Sequence, residues 1–147
     1  MPLFLVKDIW EDFEILDYVC ITTNSYINSD GNLCMGAGIA LQAKKHNPDL
    51  PKVWGKIIRD KKLRSKEYNL LSHDKYIAFQ TKFNYKDPSP VDLIERSTNK
   101  LMRLALKYPD KTFGLAYPGI NNGQLTKDIV APLLEQLPLN VTVYSRV

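Results

Sequence analysis

The sequence predicts an α/β fold in which helices cover both faces of a mostly parallel sheet. Two observations predict this class. Apolar strand-like segments alternate with amphipathic helix-like segments along the chain, which is typical of parallel sheets covered on both faces. The length of 147 residues suits one domain and leaves no room for two cores and a linker. We therefore expect a single domain over residues 1–147.

Each element in the first part of the chain has its own local signal. The apolar run over residues 3–6 predicts a buried strand, and the β-branched run over residues 18–23 predicts a second. A polar stretch with an Asp30-Gly31 turn follows. Residues 35–45 begin with glycines and continue with good helix formers, and Asn47-Pro48 is expected to end that helix.

The middle of the chain is predicted to contain one helix and two strands. Residues 51–63 have apolar side chains at helical spacing, which predicts an amphipathic helix. Residues 68–71 and 76–80 predict two short strands, and His73-Asp74 is expected to form the turn between them.

The long helix that follows has clear start and stop signals. Ser89 is expected to cap it, with Pro90 at the first helical position, and Tyr108-Pro109 is expected to end it. The remaining elements are predicted from similar local signals, namely a strand over residues 112–117, a helix capped by Thr126 that runs to about Leu137 and is bent by Pro132, and a strand over residues 140–144.

The composition excludes several classes of protein. A hydrophobic fraction of 44% with 24% charged residues is that of a soluble globular protein, not of a disordered chain or a coiled coil. No run approaches the ~20 apolar residues of a membrane span, and the N-terminus lacks the basic start of a signal peptide. Cys20 and Cys34 are too few for a disulfide framework, so we expect reduced thiols in a cytoplasmic protein.

The net charge of +4 is mildly basic and does not by itself identify a partner. The densest basic run, residues 56–66, contains six Lys or Arg residues. We interpret it as a solvated helix end and loop, and the alternative is a patch that meets nucleic acid or phosphate. The few histidines and cysteines are scattered, so no metal site is predicted.

Three loops that follow predicted strands carry the candidate chemistry, because open α/β sheets bind ligands at the carboxyl ends of their strands. Asp8 follows the first strand, and its carboxylate can accept a hydrogen bond from an exocyclic amine. Gly36-Ala37-Gly38 begins a helix, where free N–H groups attract anions. Residues 118–123 are rich in Gly and Asn and can form a second nest of N–H groups. Together the two glycine-rich loops predict a two-jawed clamp for a diphosphate.

These motifs resemble those of the macro domain family, which binds ADP-ribose on a three-layer α/β/α fold with a mixed, mostly parallel central sheet. Asp8-Ile9 is similar to the family's Gly-Asp-Ile motif, with Lys7 in place of the glycine, and Asn24 to the asparagine at a strand end. Residues 35–40, Met-Gly-Ala-Gly-Ile-Ala, resemble the first substrate loop of one branch. That branch holds terminal ADP-ribose glycohydrolases and antitoxins that remove ADP-ribose from DNA. Gln80-Thr81-Lys82 resembles its Thr-Lys segment, and residues 118–123 lie where the second phosphate loop belongs.

The resemblance implies a role for each matching residue. Asp8 would bind the adenine amine, and the backbone of Ile9 its ring nitrogen. Asn24 would hold the distal ribose and Lys82 would lie near its anomeric carbon, which makes these two the expected catalytic residues. The other expected ligand-binding residues would line the diphosphate and the distal ribose, namely Met35, Gly36, Ala37, Gly38, Ile39, Gly119, Ile120, Asn121, Asn122 and Gly123.

The implied activity is a hydrolase that removes ADP-ribose from a modified macromolecule, DNA or protein, without a metal or cofactor, in a phage or bacterial protein. Lys82 would act as an acid, a nucleophile or an electrostatic clamp. Two departures keep alternatives open: the second loop is short, and the aspartate that one glycohydrolase type uses there has no counterpart. The alternatives are a phosphatase of ADP-ribose 1″-phosphate and a non-catalytic ADP-ribose-binding module. A nucleic-acid-binding domain rests only on the basic run.

Overall fold

The structure is a computed structural model that describes residues 1–61, 63, 65–120 and 122–146. Within those residues it contains one six-stranded sheet, four helices and a short 3-10 helix over Ile9–Asp12. The strands are β1 (Leu3–Val6), β2 (Tyr18–Thr23), β3 (Leu70–His73), β4 (Tyr76–Gln80), β5 (Phe113–Ala116) and β6 (Val141–Ser145). The helices are α1 (Gly38–His46), α2 (Leu50–Asp60), α3 (Val91–Lys107) and α4 (Lys127–Leu134).

The sheet is mixed and mostly parallel, as the sequence predicts. Its strand order is β1-β6-β5-β2-β4-β3, and every neighbouring pair is parallel except β3 with β4. The carboxyl ends of the five parallel strands therefore lie along one edge of the sheet. This edge is where ligand sites form in folds of this class.

Two hydrophobic clusters fill the two faces of the sheet, and the alternation of side chains along β2 separates them. Val19 and Ile21 pack in the cluster that contains the buried residues of α1 and α2. Cys20 points the other way, into the cluster that contains the buried residues of α3 and α4. The predicted three-layer arrangement of helices, sheet and helices is confirmed.

The two outer strands differ in detail from the prediction. Residues 3–6 form a strand, but it lies at the sheet edge with Leu3 and Val6 largely exposed, so the prediction of a buried strand was wrong. The predicted strand over residues 68–71 begins two residues later, as β3, and includes His73. The tight turn follows at Asp74, which has a positive φ of 55°. An apolar run identifies a strand but not its place in the sheet.

The helix ends are also partly different from the prediction. Asn47 is the C-terminal cap of α1, as expected. Pro90 rather than Ser89 is the N-terminal cap residue of α3, and no side chain caps that helix. The last helix begins after Thr126, whose side chain makes no capping bond, and ends at Leu134, three residues earlier than predicted.

The basic run follows the predicted pattern of a solvated helix end. Helix α2 ends at Asp60, and Lys56, Arg59, Lys61 and Lys66 are exposed. Lys62 and Arg64 lie outside the described residues. Among the described residues, no helix is both long and apolar enough to cross a membrane.

Candidate functional site

A cleft of about 1050 Å³ lies at the carboxyl edge of the parallel strands. Its walls come from the segments that follow β1, β2, β4, β5 and β6. The strand order fixes the order of these segments along the cleft. Because the segments after β1 and β4 are four strand spacings apart, roughly 19 Å separates the two ends of the cleft.

The predicted site residues that the structure describes are brought together in this cleft, with one exception. All of them within the described residues line it except Met35, although they come from five separate segments. Met35 is 3% exposed and packs in the core that it shares with α1, so it does not line the cleft. Asn121 lies outside the described residues.

The first glycine-rich segment presents the N-terminus of α1 to the cleft. Ala37 is the cap residue, in an extended conformation, and no side chain caps the first-turn N–H groups. Gly36 and Ala37 are exposed, and Gly38 has a φ of +57°, a conformation that suits glycine. The uncapped N–H groups and the helix dipole favour an anion here.

The second glycine-rich segment connects β5 to α4 and is folded tightly on itself. The N–H of Leu125 donates to the carbonyl of Gly119 at 2.8 Å, and Gly119 has a φ of +80°. A Cβ at Gly123 would lie 2.5 Å from the Gly119 oxygen. The position of a Cβ on Gly38 is 3.7 Å from Nδ2 of Asn122, so the two glycine-rich segments face each other across the cleft.

Lys82 is a buried cation at the far end of the cleft. It follows β4 and is 8% exposed. Its Nζ donates to the carbonyl of Asn122 at 2.6 Å and to that of Tyr85 at 3.4 Å. Burial lowers the pKa of Lys82 below its ordinary value, and the charge of Asp87 partly opposes this effect. Among the described residues, no carboxylate oxygen lies within 4.0 Å of Nζ.

The backbone that carries Lys82 is held by a buried glutamine. Gln80 is fully buried, and its Nε2 donates to the Lys82 carbonyl at 3.1 Å. Its Oε1 accepts from the N–H groups of Tyr68 at 2.8 Å and Asn69 at 3.1 Å. The hydroxyl of Ser97, on α3, donates to the Gln80 carbonyl at 2.7 Å. The end of β4 is therefore held by α3 and by the backbone that precedes β3.

Asn24, at the end of β2, uses its side chain to shape the loop that follows. Its Nδ2 donates to the Cys34 carbonyl at 3.2 Å, and its Oδ1 accepts from the Tyr26 N–H at 3.0 Å. The buried Tyr68 hydroxyl donates to the Asn24 carbonyl at 2.6 Å and contacts the Thr23 hydroxyl. Asn24 lines the cleft, and its amide has a second N–H that these two bonds do not use.

Asp8 lies at the opposite end of the cleft. Its Oδ1 caps the 3-10 helix by accepting from the Trp10 N–H at 3.1 Å, and its Oδ2 is 3.9 Å from the Arg146 guanidinium. Ile9 is buried beside it, at 3% exposure. The Trp10 ring stacks on His46 at 3.9 Å, so this histidine has a packing role.

The buried carboxylate of Asp12 holds residues at the Asp8 end of the cleft. Asp12 accepts from Lys7 Nζ at 2.7 Å and from the Tyr144 hydroxyl at 2.8 Å. The hydrogen bond from Lys7, with that from Tyr144, lowers the pKa of Asp12 below its ordinary value of 3.8. Lys7 and Tyr144 both line the cleft. Because Lys7 follows β1 and Tyr144 lies in β6, Asp12 connects the cleft walls that these two strands provide.

The low pKa of Asp12 predicts an acid-dependent loss of stability. A carboxyl whose pKa is lowered on folding stabilises the fold fully above its unfolded pKa, and this stabilisation is lost as the pH falls through the folded pKa. Asp12→Asn should therefore lower the urea midpoint at neutral pH, and the difference from wild type should shrink by about pH 3. A difference of equal size at both pH values would show that ionisation of Asp12 does not matter.

The remaining reactive side chains do not form a centre of their own. Cys20 is buried, and burial raises the pKa of its thiol. Cys34 is half-buried in the cleft wall as a free thiol. Within the described ranges, no group of three or more His, Cys, Asp or Glu side chains could hold a metal ion.

The sequence did not single out several residues that line the cleft. Tyr85 and Lys86 follow Lys82 on the same wall, and Tyr85 packs edge-on against Tyr26 at 5.1 Å. Ser89, taken from the sequence to be a helix cap, lines the cleft instead. In the sequence, only their closeness to Lys82 could have indicated that Tyr85 and Lys86 line the cleft.

Comparison with solved structures identifies the fold. The chain matches the macrodomain of Thermus aquaticus DarG with a TM-score of 0.77 and 22% identity, over 100% of this chain and 98% of that one. The macrodomain of Mycobacterium tuberculosis DarG matches with a TM-score of 0.75 and 22% identity, over 99% and 97% of the two chains. The macrodomain fold predicted from the sequence motifs is thus confirmed.

A third structure extends beyond the region that this chain matches. Thermosipho africanus DarTG in complex with ADP-ribose has a TM-score of 0.76 and 22% identity, and the match covers 97% of this chain. The chain spans 40% of the length of that protein. No protein-family model matches the sequence, and no curated protein matches it.

Proposed function

We propose that this chain binds ADP-ribose in the cleft and removes it from a modified macromolecule, DNA or protein, by hydrolysing the bond at the distal ribose. The order of groups along the cleft carries the proposal. A carboxylate lies at one end, two glycine-rich segments face each other in the middle, and a buried ammonium lies at the other end. ADP-ribose has an amine-bearing base, a central diphosphate and a reactive sugar in the same order.

The Asp8 end suits the adenine. Asp8 Oδ1 accepts from the Trp10 N–H, whereas the one described partner of Oδ2 is the distant Arg146 guanidinium, at 3.9 Å. A carboxylate oxygen can accept from the exocyclic amine of adenine, and such charge-assisted hydrogen bonds are stronger than neutral ones. This contact would distinguish adenine from bases that present a carbonyl there.

The middle of the cleft suits the diphosphate. The uncapped N–H groups of α1 lie on one side, and the closely packed backbone of Gly119 and Gly123 lies on the other. Gly36 has no heavy atom within 4 Å of its Cβ position, so ligand oxygens can approach the backbone there. A single exposed helix end contributes only about 0.3–1 kcal/mol to the binding of an anion. Several N–H groups therefore have to converge on the diphosphate to hold it.

Lys82 would act at the distal ribose as a proton-bearing cation. Both contacts of Nζ are with carbonyl oxygens, and these acceptors favour the ammonium form over a neutral nucleophilic amine. As the bond from the anomeric carbon to the macromolecule breaks, the leaving atom gains electron density, and the ammonium stabilises it or gives it a proton. Where the ammonium has given up its proton, water then adds hydroxide to the anomeric carbon and returns its other proton to the Lys82 amine. Where the ammonium only stabilises the leaving atom, that atom takes the proton from the water instead. Asn24 would orient the sugar with its remaining N–H.

A product assay tests this function. The chain is incubated separately with ADP-ribosylated single-stranded DNA, an ADP-ribosylated protein and ADP-ribose 1″-phosphate, and free ADP-ribose and phosphate are separated by chromatography. Release of ADP-ribose from either macromolecule supports the proposal. Release of phosphate alone would identify a phosphatase instead.

A second candidate function is a binding module without turnover. The observation that favours it is the environment of Lys82, because among the described residues no carboxylate oxygen lies within 4.0 Å of Nζ to act as a base. A protein that binds ADP-ribose but releases neither product in the assay would be such a module.

Asp8→Asn should weaken ADP-ribose binding by about tenfold without a matching loss of stability. The asparagine oxygen can still accept from the Trp10 N–H, so the cap survives, but the charged acceptor for the adenine amine is lost. Calorimetric titration with ADP-ribose measures the change. Asp8→Ala, which also removes the cap, is the comparison that adds a loss of stability. Wild-type affinity in Asp8→Asn would remove Asp8 from the adenine site.

A further inference from the structure

Ser89 has a buried hydroxyl that the fold does not use as the helix cap predicted from the sequence. The residue is 4% exposed and lines the cleft. Its Oγ makes no hydrogen bond with any described residue. The hydroxyl does not cap α3, which begins after Pro90 without a side-chain cap. A buried hydroxyl without a partner destabilises a fold unless a bound molecule satisfies it.

The position of Ser89 joins the second glycine-rich segment to the Lys82 end of the cleft. The Ser89 N–H donates to the Gly123 carbonyl at 2.9 Å. The Oγ lies 2.5 Å from the place that a Cβ on Gly123 would occupy, so a glycine is needed for the two to lie side by side. The neighbouring Asn122 carbonyl is the one that accepts from Lys82.

We propose that the Ser89 hydroxyl donates a hydrogen bond to an oxygen of the bound diphosphate, on the phosphate that carries the distal ribose. This inference rests on the proposed ADP-ribose site and names a contact within it. Ser89 then determines how tightly the distal half of the ligand is held. Among the described residues its hydroxyl has no partner in the free protein, and it gains one in the complex.

The place of Ser89 along the cleft identifies the phosphate. Ser89 lies in the segment that follows β4, on the side of the second glycine-rich segment away from β1 and Asp8. The phosphate attached to adenosine lies nearer Asp8, and the second phosphate lies nearer Lys82. A hydroxyl beside Gly123 therefore faces the second phosphate, whose charged oxygens accept hydrogen bonds strongly.

The test compares wild type with Ser89→Ala and with a matched control, Ser97→Ala. Ser97 is also buried, but its hydroxyl is paired with the Gln80 carbonyl, and the residue does not line the cleft. Each protein is titrated calorimetrically with ADP-ribose, ADP and AMP, and the melting temperature of the free protein is measured. AMP lacks the second phosphate and serves as the ligand control.

Ser89→Ala should bind ADP-ribose and ADP at least about tenfold more weakly, with AMP unchanged, while its melting temperature without ligand stays level or rises. Ser97→Ala should show the reverse, with a lower melting temperature and unchanged affinity. A fall in the melting temperature of Ser89→Ala comparable to that of Ser97→Ala would reveal a structural role and overturn the inference.

The other outcomes separate this inference from the proposed function. Wild-type affinity of Ser89→Ala for ADP-ribose and ADP overturns the Ser89 contact alone. A loss for ADP-ribose without one for ADP overturns the phosphate assignment, because the contact would then be to the ribose. If the wild-type protein binds neither ligand, the proposed function and this inference both fall.

Discussion

Lys82→Ala is expected to slow the release of ADP-ribose at least about a hundredfold while ADP-ribose binding stays within a few-fold of wild type. The ammonium acts when the leaving atom gains electron density, so its removal raises the barrier more than it weakens the ground-state complex. Single-turnover release from the substrate identified in the product assay measures the rate, and calorimetry measures the affinity.

Two further variants separate the causes of such a loss. Lys86→Ala is the matched control, because Lys86 lines the same cleft wall but is exposed. It should keep the wild-type rate. Lys82→Arg keeps a positive charge and donors for the Asn122 and Tyr85 carbonyls, but a guanidinium does not give up its proton. Rescue by arginine would indicate charge stabilisation, and failure of rescue would indicate proton transfer. A Lys82→Ala protein with the wild-type rate would rule out any catalytic role for Lys82.

Gly123→Ala is expected to weaken ADP-ribose binding more than tenfold and to cost about 1–3 kcal/mol of folding stability. The added Cβ would lie 2.5 Å from the Gly119 oxygen, 2.7 Å from the Gly119 Cα and 2.5 Å from Ser89 Oγ. Two of these three atoms belong to backbone, so the close contact between Gly119 and Gly123 has to open. The N–H groups that the proposed function assigns to the diphosphate then lose their positions.

Gly36→Ala is the matched control for the Gly123 substitution. It introduces the same methyl group on the other glycine-rich segment, where no heavy atom lies within 4 Å of the new Cβ. Urea denaturation should give wild-type stability for this variant and a clear loss for Gly123→Ala. If Gly123→Ala kept both wild-type stability and wild-type affinity, the tight turn would have no part in binding.

The sequence was sufficient to predict the fold because its signals are local. Strand-length apolar runs and helix-length amphipathic runs place ten elements close to where the structure has them. The position of β1 at the sheet edge was missed, because an apolar run of four residues is the same at the edge as in the centre. The start of β3 was missed because the buried side chain of Gln80 holds Tyr68 and Asn69 out of the strand.

Those parts of the candidate site that are continuous in the chain were predictable from the sequence. Contacts between residues that are distant in the chain were not. Gly36-Ala37-Gly38 and the segment over residues 118–123 were singled out as segments rich in Gly or Asn before predicted helices, and Ile39 was added from the family resemblance. Asp12 pairs with Tyr144, which is 132 residues away, and no local pattern indicates such a contact. Ser89 was predicted to be a helix cap because serine before proline is a common helix start, and only the folded chain shows that the residue lines the cleft.

Isothermal titration calorimetry with ADP-ribose, beside AMP and ribose 5-phosphate, shows whether one ligand spans the cleft from Asp8 to Lys82, over roughly 19 Å. ADP-ribose should then bind at least about tenfold more tightly than either fragment, because only the whole molecule reaches both ends and the clamp between them. Equal affinity for ADP-ribose and AMP, or no binding of ADP-ribose, would contradict this span.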